Sequence, residues 1–227
     1  MNKCQDWYNN NAKRNNGYKS AAKYIKEGIS GEDVFEQRLI ELLAKYENVL
    51  DIGCGHGEFT LKMSEYAKKI TGGDSSVELL KIAKKLKNEA NNKNADFKYI
   101  HTHEIAEDEN EQYDLIYNRR GPTSIYEHKH LLRAGGKIIA IHPLHALDKV
   151  KDRLKFGGFI DIEIEIYDAC SLIFDNTEDF AEHLSSSHMS KDYRLAENKE
   201  ELDKMIIEHT VDGRLIIEEN RFIVTAK

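Results

Sequence analysis

The feature that most constrains the fold of this 227-residue chain is a glycine-rich turn behind a short apolar run. The apolar stretch Asn48–Ile52 indicates a buried strand, and Gly53, Gly55 and Gly57 follow it at every second position. Glycine reaches positive φ at little cost and lets another group touch the main chain, because it has no Cβ. The pattern therefore predicts a strand that ends in a loop on which a small ligand rests.

Strand and helix patterns alternate on both sides of this turn. The predicted helices are residues 32–46, 59–69, 76–90 and 123–133, and the predicted strands are residues 48–52, 70–73, 95–101, 113–118 and 137–142. Such alternation is typical of parallel strands that are covered by helices on both faces and joined by right-handed crossovers. We therefore expect a doubly wound α/β fold.

The carboxyl-terminal part of the chain changes character. Residues 161–167 alternate strictly between acidic and apolar side chains, and residues 214–227 indicate a paired closing strand or a hairpin. Two further helices are predicted near residues 178–184 and 197–209. We divide the chain into an amino-terminal helical cap or lid segment, residues 1–46, and a main domain, residues 47–227, with substrate-lid insertions around residues 143–213.

Composition limits the classes of partner. A formal net charge of -7 disfavours a broad nucleic-acid surface, since phosphate binding needs clustered lysines and arginines. Cys4, Cys54 and Cys170 are isolated along the chain, which favours free thiols in a reducing compartment. No uncharged apolar run approaches the length of a membrane span, and no leader pattern is visible, so we expect a cytoplasmic protein.

The first 26 residues are rich in lysine and in aromatic side chains. Two interpretations of this basic segment stay open. It is either a solvated amphipathic helix with an apolar stripe or a surface that contacts an anionic ligand.

The spacing of the glycines and the nearby charges narrow the class of ligand. A dinucleotide fingerprint places its third glycine three residues after the second, but Glu58 occupies that position. No Gly-Lys-Ser/Thr ends the turn, so a P-loop is also excluded. The carboxylates of Asp51 and Glu58 favour a ligand that is cationic and lacks phosphate.

The stretch VLDIGCGHG resembles motif I of the class I S-adenosylmethionine-dependent methyltransferases. The resemblance implies a Rossmann-like sheet of seven strands, mostly parallel, with an antiparallel closing strand between the fifth and the sixth. It also implies S-adenosylmethionine as the cofactor and a methyl transfer reaction (EC 2.1.1.-). The loop that would surround the methionine end of the cofactor contains Asp51, Gly53, Cys54, Gly55 and Gly57.

The resemblance also implies contacts for the rest of the cofactor. Asp74, at the end of the second strand of the domain, would accept both ribose hydroxyls, with Ser75 beside it. The family commonly has an acid after the third strand that holds the adenine amino group, and Thr102 occupies the corresponding place here. The Thr102 hydroxyl or the His103 backbone amide would contact adenine instead, and Asn118 completes the expected cofactor set.

The segment YNRRGPTS follows the fourth strand of the domain, a position that faces the transferred methyl group in this family. Arg119 and Arg120 either clamp a carboxylate or phosphate of the acceptor or form local ion pairs. His142, at the end of the fifth strand, acts as a base near the methyl group, lines an apolar pocket wall or forms a hydrogen bond to a loop. The histidine pairs along the chain set no third ligand by their spacing, so no metal site is expected.

These observations favour an enzyme that methylates an oxygen or nitrogen of a small, anionic molecule. Motifs typical of exocyclic-amine and cytosine-C5 methylation are absent, which favours a small-molecule acceptor over nucleic acid. Two alternatives stay open: an RNA methyltransferase that uses the basic amino-terminal segment, and a cofactor-binding module without catalysis. The sequence names neither the acceptor nor the oligomeric state.

Overall fold

The computed structural model describes residues 20–106, 108, 112–187 and 191–227. The strands are β1 (Ile25–Gly28), β2 (Asn48–Ile52), β3 (Lys69–Asp74), β4 (Ala95–Tyr99), β5 (Tyr113–Arg119), β6 (Leu132–Pro143), β7 (Glu163–Tyr167), β8 (Cys170–Phe174), β9 (Thr210–Val211), β10 (Arg214–Glu218) and β11 (Arg221–Ala226). The α-helices are α1 (Gly31–Leu43), α2 (Glu58–Ser64), α3 (Val77–Glu89), α4 (Leu147–Phe156), α5 (Thr177–Ser187) and α6 (Lys199–His209).

Seven strands form the main sheet, in the order β4-β3-β2-β5-β6-β11-β7. The strands from β4 to β6 pair in parallel, and β11 runs antiparallel to both of its neighbours. The prediction of a doubly wound, Rossmann-like sheet with one antiparallel closing strand is therefore confirmed. In such a sheet ligands bind beyond the carboxyl ends of the parallel strands, where neighbouring connections diverge.

Helix α1 covers one face of this sheet. Its N-cap is Ser30, whose hydroxyl accepts a hydrogen bond from the backbone of Asp33, and it buries Phe35, Leu39 and Leu43 at intervals of four residues. This spacing places all three side chains on the stripe that faces the sheet. Burying each of them contributes about 1.5–3 kcal/mol, so α1 is integral to the sheet core. The division of the chain at residue 46 stays a prediction.

The opposite face of the sheet packs against α4 and against two 3-10 turns, Thr123–Glu127 and Lys129–Leu131. These turns replace the α-helix predicted over residues 123–133, which is wrong. Ile125 and Tyr126 are both fully buried against the sheet although they are adjacent in sequence. Tertiary packing of both side chains outweighs the helix propensity of the segment.

Four strands form a second sheet, in the order β1-β8-β10-β9, all antiparallel. Helices α5 and α6 cover it, with Phe174, Phe180 and Leu184 in its core. Strands β10 and β11 belong to different sheets, so the prediction that residues 214–227 form a hairpin is wrong. The prediction of a closing strand is confirmed by β11, which pairs within the main sheet. Strand β1 also shows that the amino-terminal segment is not entirely helical.

In the part of the chain that the structure describes, no helix combines the length and the apolar character needed to cross a bilayer.

Candidate functional site

The glycine loop joins β2 to α2 at the carboxyl edge of the main sheet. Gly53, Gly55 and Gly57 have φ values of 79°, 56° and 79°, a left-handed conformation that residues with a Cβ rarely adopt. The backbone amides of Gly53 and Cys54 both donate to the carbonyl of Gly73, over 2.8 and 3.1 Å. These bonds tie the loop to the end of β3 and fix its shape.

Two of these glycines also make room for other parts of the chain. A Cβ on Gly53 would lie 2.7 Å from Cδ of Pro122 and 2.9 Å from Cα of Gly121, in the loop that follows β5. A Cβ on Gly57 would lie 2.7 Å from both Ala83 and Phe97, under α3 and β4. The sequence indicated only that these glycines leave space for a ligand. It did not show that they also leave space for the close packing of neighbouring segments of the chain.

Two carboxylates flank the loop, Asp51, which is buried, and Asp74, which is half-buried. Asp51 is 3% exposed and accepts a hydrogen bond of 2.6 Å from the hydroxyl of Thr60, and burial raises its pKa to about 6. Asp74 accepts from the backbone amides of Gly55 and Ser76, each over 2.8 Å, and burial raises its pKa also. Neither carboxylate forms an ion pair with another described residue, although the charge of Arg119 acts to lower the pKa of Asp51. Two carboxylates so placed favour a ligand with positive charge.

The other residues predicted at this edge have different surroundings. Cys54 is buried, which raises the pKa of its thiol, and its Sγ lies 3.8 Å from the carbonyl oxygen of Gly55. Ser75 follows Asp74 directly, before the N-cap of α3. Asn118 is fully buried, and its Oδ1 accepts from the amide of Gly121 over 2.6 Å. Its Nδ2 donates to the carbonyl of residue 122 over 3.0 Å, so Asn118 holds the turn that touches Gly53.

The loop after β4 lies at the same edge. The hydroxyl of Thr102 lies 2.6 Å from that of Ser124, and its carbonyl lies 2.6 Å from the ring Nε2 of His128. His103 is exposed, and its ring lies beside that of His101, with centroids 5.7 Å apart. The Nδ1 atom of His101 is buried and hydrogen-bonds to no described residue. The sequence motif HTHE contains this histidine, which the sequence indicated only as one member of a histidine pair.

An arginine cluster surrounds Glu32, in the first turn of α1. Its carboxylate accepts from Nε of Arg119 over 2.8 Å and lies 3.2 Å from Nε of Arg120 and 3.4 Å from Nε of Arg221. Burial alone would raise the pKa of Glu32, but the charges of Arg120, Arg119 and Arg221 lower it to about 2. The structure thus brings together the two predicted arginines and adds two residues that sequence reasoning missed.

His142 ends β6 in a different environment from the arginines. It is 2% exposed, its Nε2 lies 2.7 Å from the hydroxyl of Tyr126, and its ring centroid lies 5.8 Å from that of Phe222. Burial lowers its pKa to about 4, so the imidazole is neutral near pH 7. A neutral imidazole with a lowered pKa is a weak base, and the role of His142 as a base stays a prediction.

The histidines of the site form two neighbouring pairs. The rings of His128 and His130 have centroids 5.4 Å apart, much like those of the pair on the β4 loop. Within the described ranges, no three histidine, cysteine, aspartate or glutamate side chains are arranged to hold a metal ion.

Comparison with known proteins identifies a matching family model and similar folds. A family model described as a methyltransferase domain matches residues 43–208. The solved structure of a functionally unknown protein from Deinococcus radiodurans R1 aligns over 98% of this chain and 99% of that chain, with a TM-score of 0.67 and 22% identity. The structure of phosphoethanolamine N-methyltransferase 2 of Haemonchus contortus, in complex with S-adenosyl-L-methionine, aligns over 84% of this chain and 52% of its own chain. The TM-score is 0.55 and the identity is 16%.

One match among curated proteins covers a smaller part of the chain. A 23S rRNA (uracil(1939)-C(5))-methyltransferase of Francisella tularensis is 34% identical over 85 residues, which are 37% of this chain. The matched stretch is 19% of the length of that relative. The solved structures, at their low identity, indicate the fold alone.

Proposed function

The chain belongs to the methyltransferase domain family, and from this premise we propose an S-adenosylmethionine-dependent enzyme that methylates an oxygen or nitrogen of a small molecule. The observation that carries the proposal is the glycine loop between Asp51, which is buried, and Asp74, which is half-buried, two carboxylates that form no ion pair with another described residue. Buried charges are costly unless they are paired. A ligand that brings positive charge to this loop would offset that cost.

The residues present fit the cofactor. The carboxylate of Asp74 accepts from the backbone amides of Gly55, Ser76 and Ser75, and its two oxygens offer about four lone-pair sites, so it can accept from a further hydroxyl donor. The neighbouring backbone of Gly55 carries no side chain, and its φ of 56° turns the loop tightly. Asp51 contributes negative charge from beneath the loop. We propose Asp51, Asp74 and the backbone of residues 53–57 as the main cofactor contacts.

The protein's own residues would act mainly by positioning. When bound, S-adenosylmethionine supplies an activated methyl group, which is lost from sulfur as the acceptor bonds to carbon. Such an in-line displacement gains most of its rate from holding the acceptor close and aligned. Asn118 fixes the turn after β5 next to the glycine loop, and this turn carries Arg119 and Arg120 at the acceptor side. We propose that this arginine pair serves acceptor binding, one arginine by contact and the other by positioning, with Thr102 and His103 beside the adenine.

The test measures cofactor binding and turnover separately. We expect S-adenosylmethionine and S-adenosylhomocysteine each to stabilise the folded protein by about 2.7 kcal/mol at a hundredfold excess over Kd, and so to raise the melting temperature. NAD should not do so. Asp74→Asn should weaken binding about tenfold or more, the value of a hydrogen bond to a charged group. The matched control Asp96→Asn changes a carboxylate that is 72% exposed, at the edge of the sheet, and should bind normally.

Three results would contradict parts of this proposal. Absence of any thermal shift with either sulfur compound would remove the cofactor assignment. Equal affinity of wild type and Asp74→Asn would remove Asp74 from the ribose role. Binding without incorporation of radiolabelled methyl into any compound of a metabolite panel would favour the module without catalysis.

A further inference from the structure

The arginine cluster is centred on the carboxylate of Glu32. Three guanidinium groups, Arg119, Arg120 and Arg221, face the carboxylate of Glu32, and the charge of Glu219 also acts on Arg120. Glu219 is 6% exposed, and its carboxylate accepts a hydrogen bond of 2.7 Å from the hydroxyl of Ser30. Among the described residues, only the carboxylate of Glu32 forms ion pairs with the three guanidinium groups, while Glu219 and Asp51 act on Arg120 and Arg119 without forming one.

A separate ion pair lies near this cluster. Lys26 lies near Glu219, but it pairs with Asp33 over 2.5 Å, so the two add no net charge. Within the part of the chain that the structure describes, the three guanidinium groups therefore share the carboxylate of Glu32 as their ion-pair partner.

The three arginines are not equally committed to the fold. Arg119 donates its Nε to Glu32 and stacks over the ring of Phe59, with the guanidinium carbon 4.4 Å from the ring centroid. Arg221 donates from Nη1 to the carbonyl of Asn220 over 3.1 Å. Arg120 contacts Glu32 through Nε, and its Nη atoms hydrogen-bond to no described residue. Its side chain is 42% exposed, the most of the three.

The backbone of Arg120 presents this side chain at the edge of the glycine loop. Its amide still donates to the carbonyl of Ile141 over 2.9 Å, but its φ of 60° is left-handed. Residues other than glycine are rare in this conformation, and such strain concentrates at functional sites. The next residue is Gly121, whose Cα would lie 2.9 Å from a Cβ on Gly53. The backbone of this turn therefore lies beside the loop proposed for the cofactor, and the Arg120 side chain extends from it to Glu32.

We infer that Arg120 binds an anionic group, a carboxylate or a phosphate, on the small molecule that this protein methylates. The inference rests on the proposed function and names the acceptor class for the same site. A guanidinium offers planar paired donors that match either anion. Arg119 and Arg221 hold Glu32 in place, and Glu32 orients Nε of Arg120, which leaves the Nη donors for the acceptor. Arg120 is thus separated in role from Arg119, whose contacts are within the fold.

The experiment uses inorganic phosphate and acetate as probes of the two anion classes. Each is titrated against chloride at constant ionic strength, with S-adenosylhomocysteine saturating, and the melting temperature is recorded. We expect phosphate or acetate to stabilise the wild type more than chloride does. Arg120→Gln should lower the apparent affinity for phosphate or acetate, taken from this titration, about tenfold, which corresponds to the loss of a hydrogen bond to a charged group. Arg120→Lys, which keeps the charge but not the paired donors, should fall between them.

The matched control is Arg133→Gln. Arg133 is 44% exposed and also pairs with one carboxylate, that of Asp114, over 3.0 Å, at the opposite end of β6. It should respond to both anions as the wild type does. An equal response of Arg120→Gln and wild type, or no response of the wild type beyond that to chloride, would overturn the inference.

The outcomes separate this inference from the proposed function. Failure of S-adenosylhomocysteine to bind the wild type would overturn the proposed function. Normal binding of S-adenosylhomocysteine to Arg120→Gln, with loss of the anion effect, would support the inference alone. An RNA oligonucleotide that binds through Arg120 with a steep salt dependence, while phosphate and acetate have no effect, would overturn the small-molecule acceptor in favour of a polynucleotide.

Discussion

Gly53→Ala tests whether the glycine loop is shaped by its contact with the turn after β5. Gly53 has a φ of 79°, and a Cβ there would lie 2.9 Å from the backbone Cα of Gly121 and 2.7 Å from Cδ of Pro122. The left-handed conformation costs alanine about 1–2 kcal/mol. Overpacking against backbone that cannot easily move adds about 1–3 kcal/mol. We therefore expect the free energy of unfolding to fall by about 2–5 kcal/mol.

Gly135→Ala supplies a control with the same backbone conformation. Gly135 also has a φ of 79°, but a Cβ there would meet no atom within 4 Å, so only the conformational cost remains. Urea unfolding at pH 7 should show Gly53→Ala to be the less stable variant by about 1–3 kcal/mol, with unchanged m values. In thermal unfolding, each kcal/mol corresponds to about 2–4 °C for a chain of this size. Equal destabilisation of the two variants would refute the close approach of the two loops.

Two further predictions concern buried carboxylates. Burial raises the pKa of Asp51 to about 6, so the folded protein holds this proton more tightly than the unfolded chain. Stability should fall as pH rises from about 4 to 6, by up to about 3 kcal/mol, and Asp51→Asn should flatten the decline in urea unfolding measured across this range. Glu32 has a pKa of about 2, so its stabilisation is present at pH 7 and is lost as pH falls through that value. Glu32→Gln should lower the free energy of unfolding by about 3 kcal/mol at pH 7. The control Glu165→Gln changes a side chain that is 50% exposed and should lower it by at most about 1 kcal/mol. Similar losses of stability in the two variants would contradict the role of Glu32.

The elements that sequence reasoning located are those with a strong periodic pattern. Helix α3 was expected over residues 76–90 and occupies Val77–Glu89. It has a serine N-cap and an apolar stripe, and both signals are local. Strand β1 was not expected, because none of its four residues is buried and it forms only by pairing with β8. Helix α4 was missed for a similar reason, since it buries only Val150 and Leu154.

The cofactor side of the site was more predictable than the acceptor side. The glycine loop and Asp74 lie within one βαβ unit, so sequence spacing carries their positions. The contact between Glu32 and Arg221 joins residues 189 positions apart. It depends on the register of β11, which places Arg221 opposite Pro143 and Tyr167. No local pattern encodes that register, so the arginine cluster could be seen only in the folded chain.

The shape of the glycine loop is fixed largely by the chain itself. Gly53 makes room for Gly121, and Gly57 makes room for α3. The amide of Gly55 is held by Asp74, the residue proposed to bind the ribose. A loop that is held in this way by the rest of the chain loses little conformational entropy when a ligand binds. The contact between Gly53 and Gly121 also joins the cofactor loop to the turn that carries Arg120, so displacement of either loop should alter the binding of both ligands.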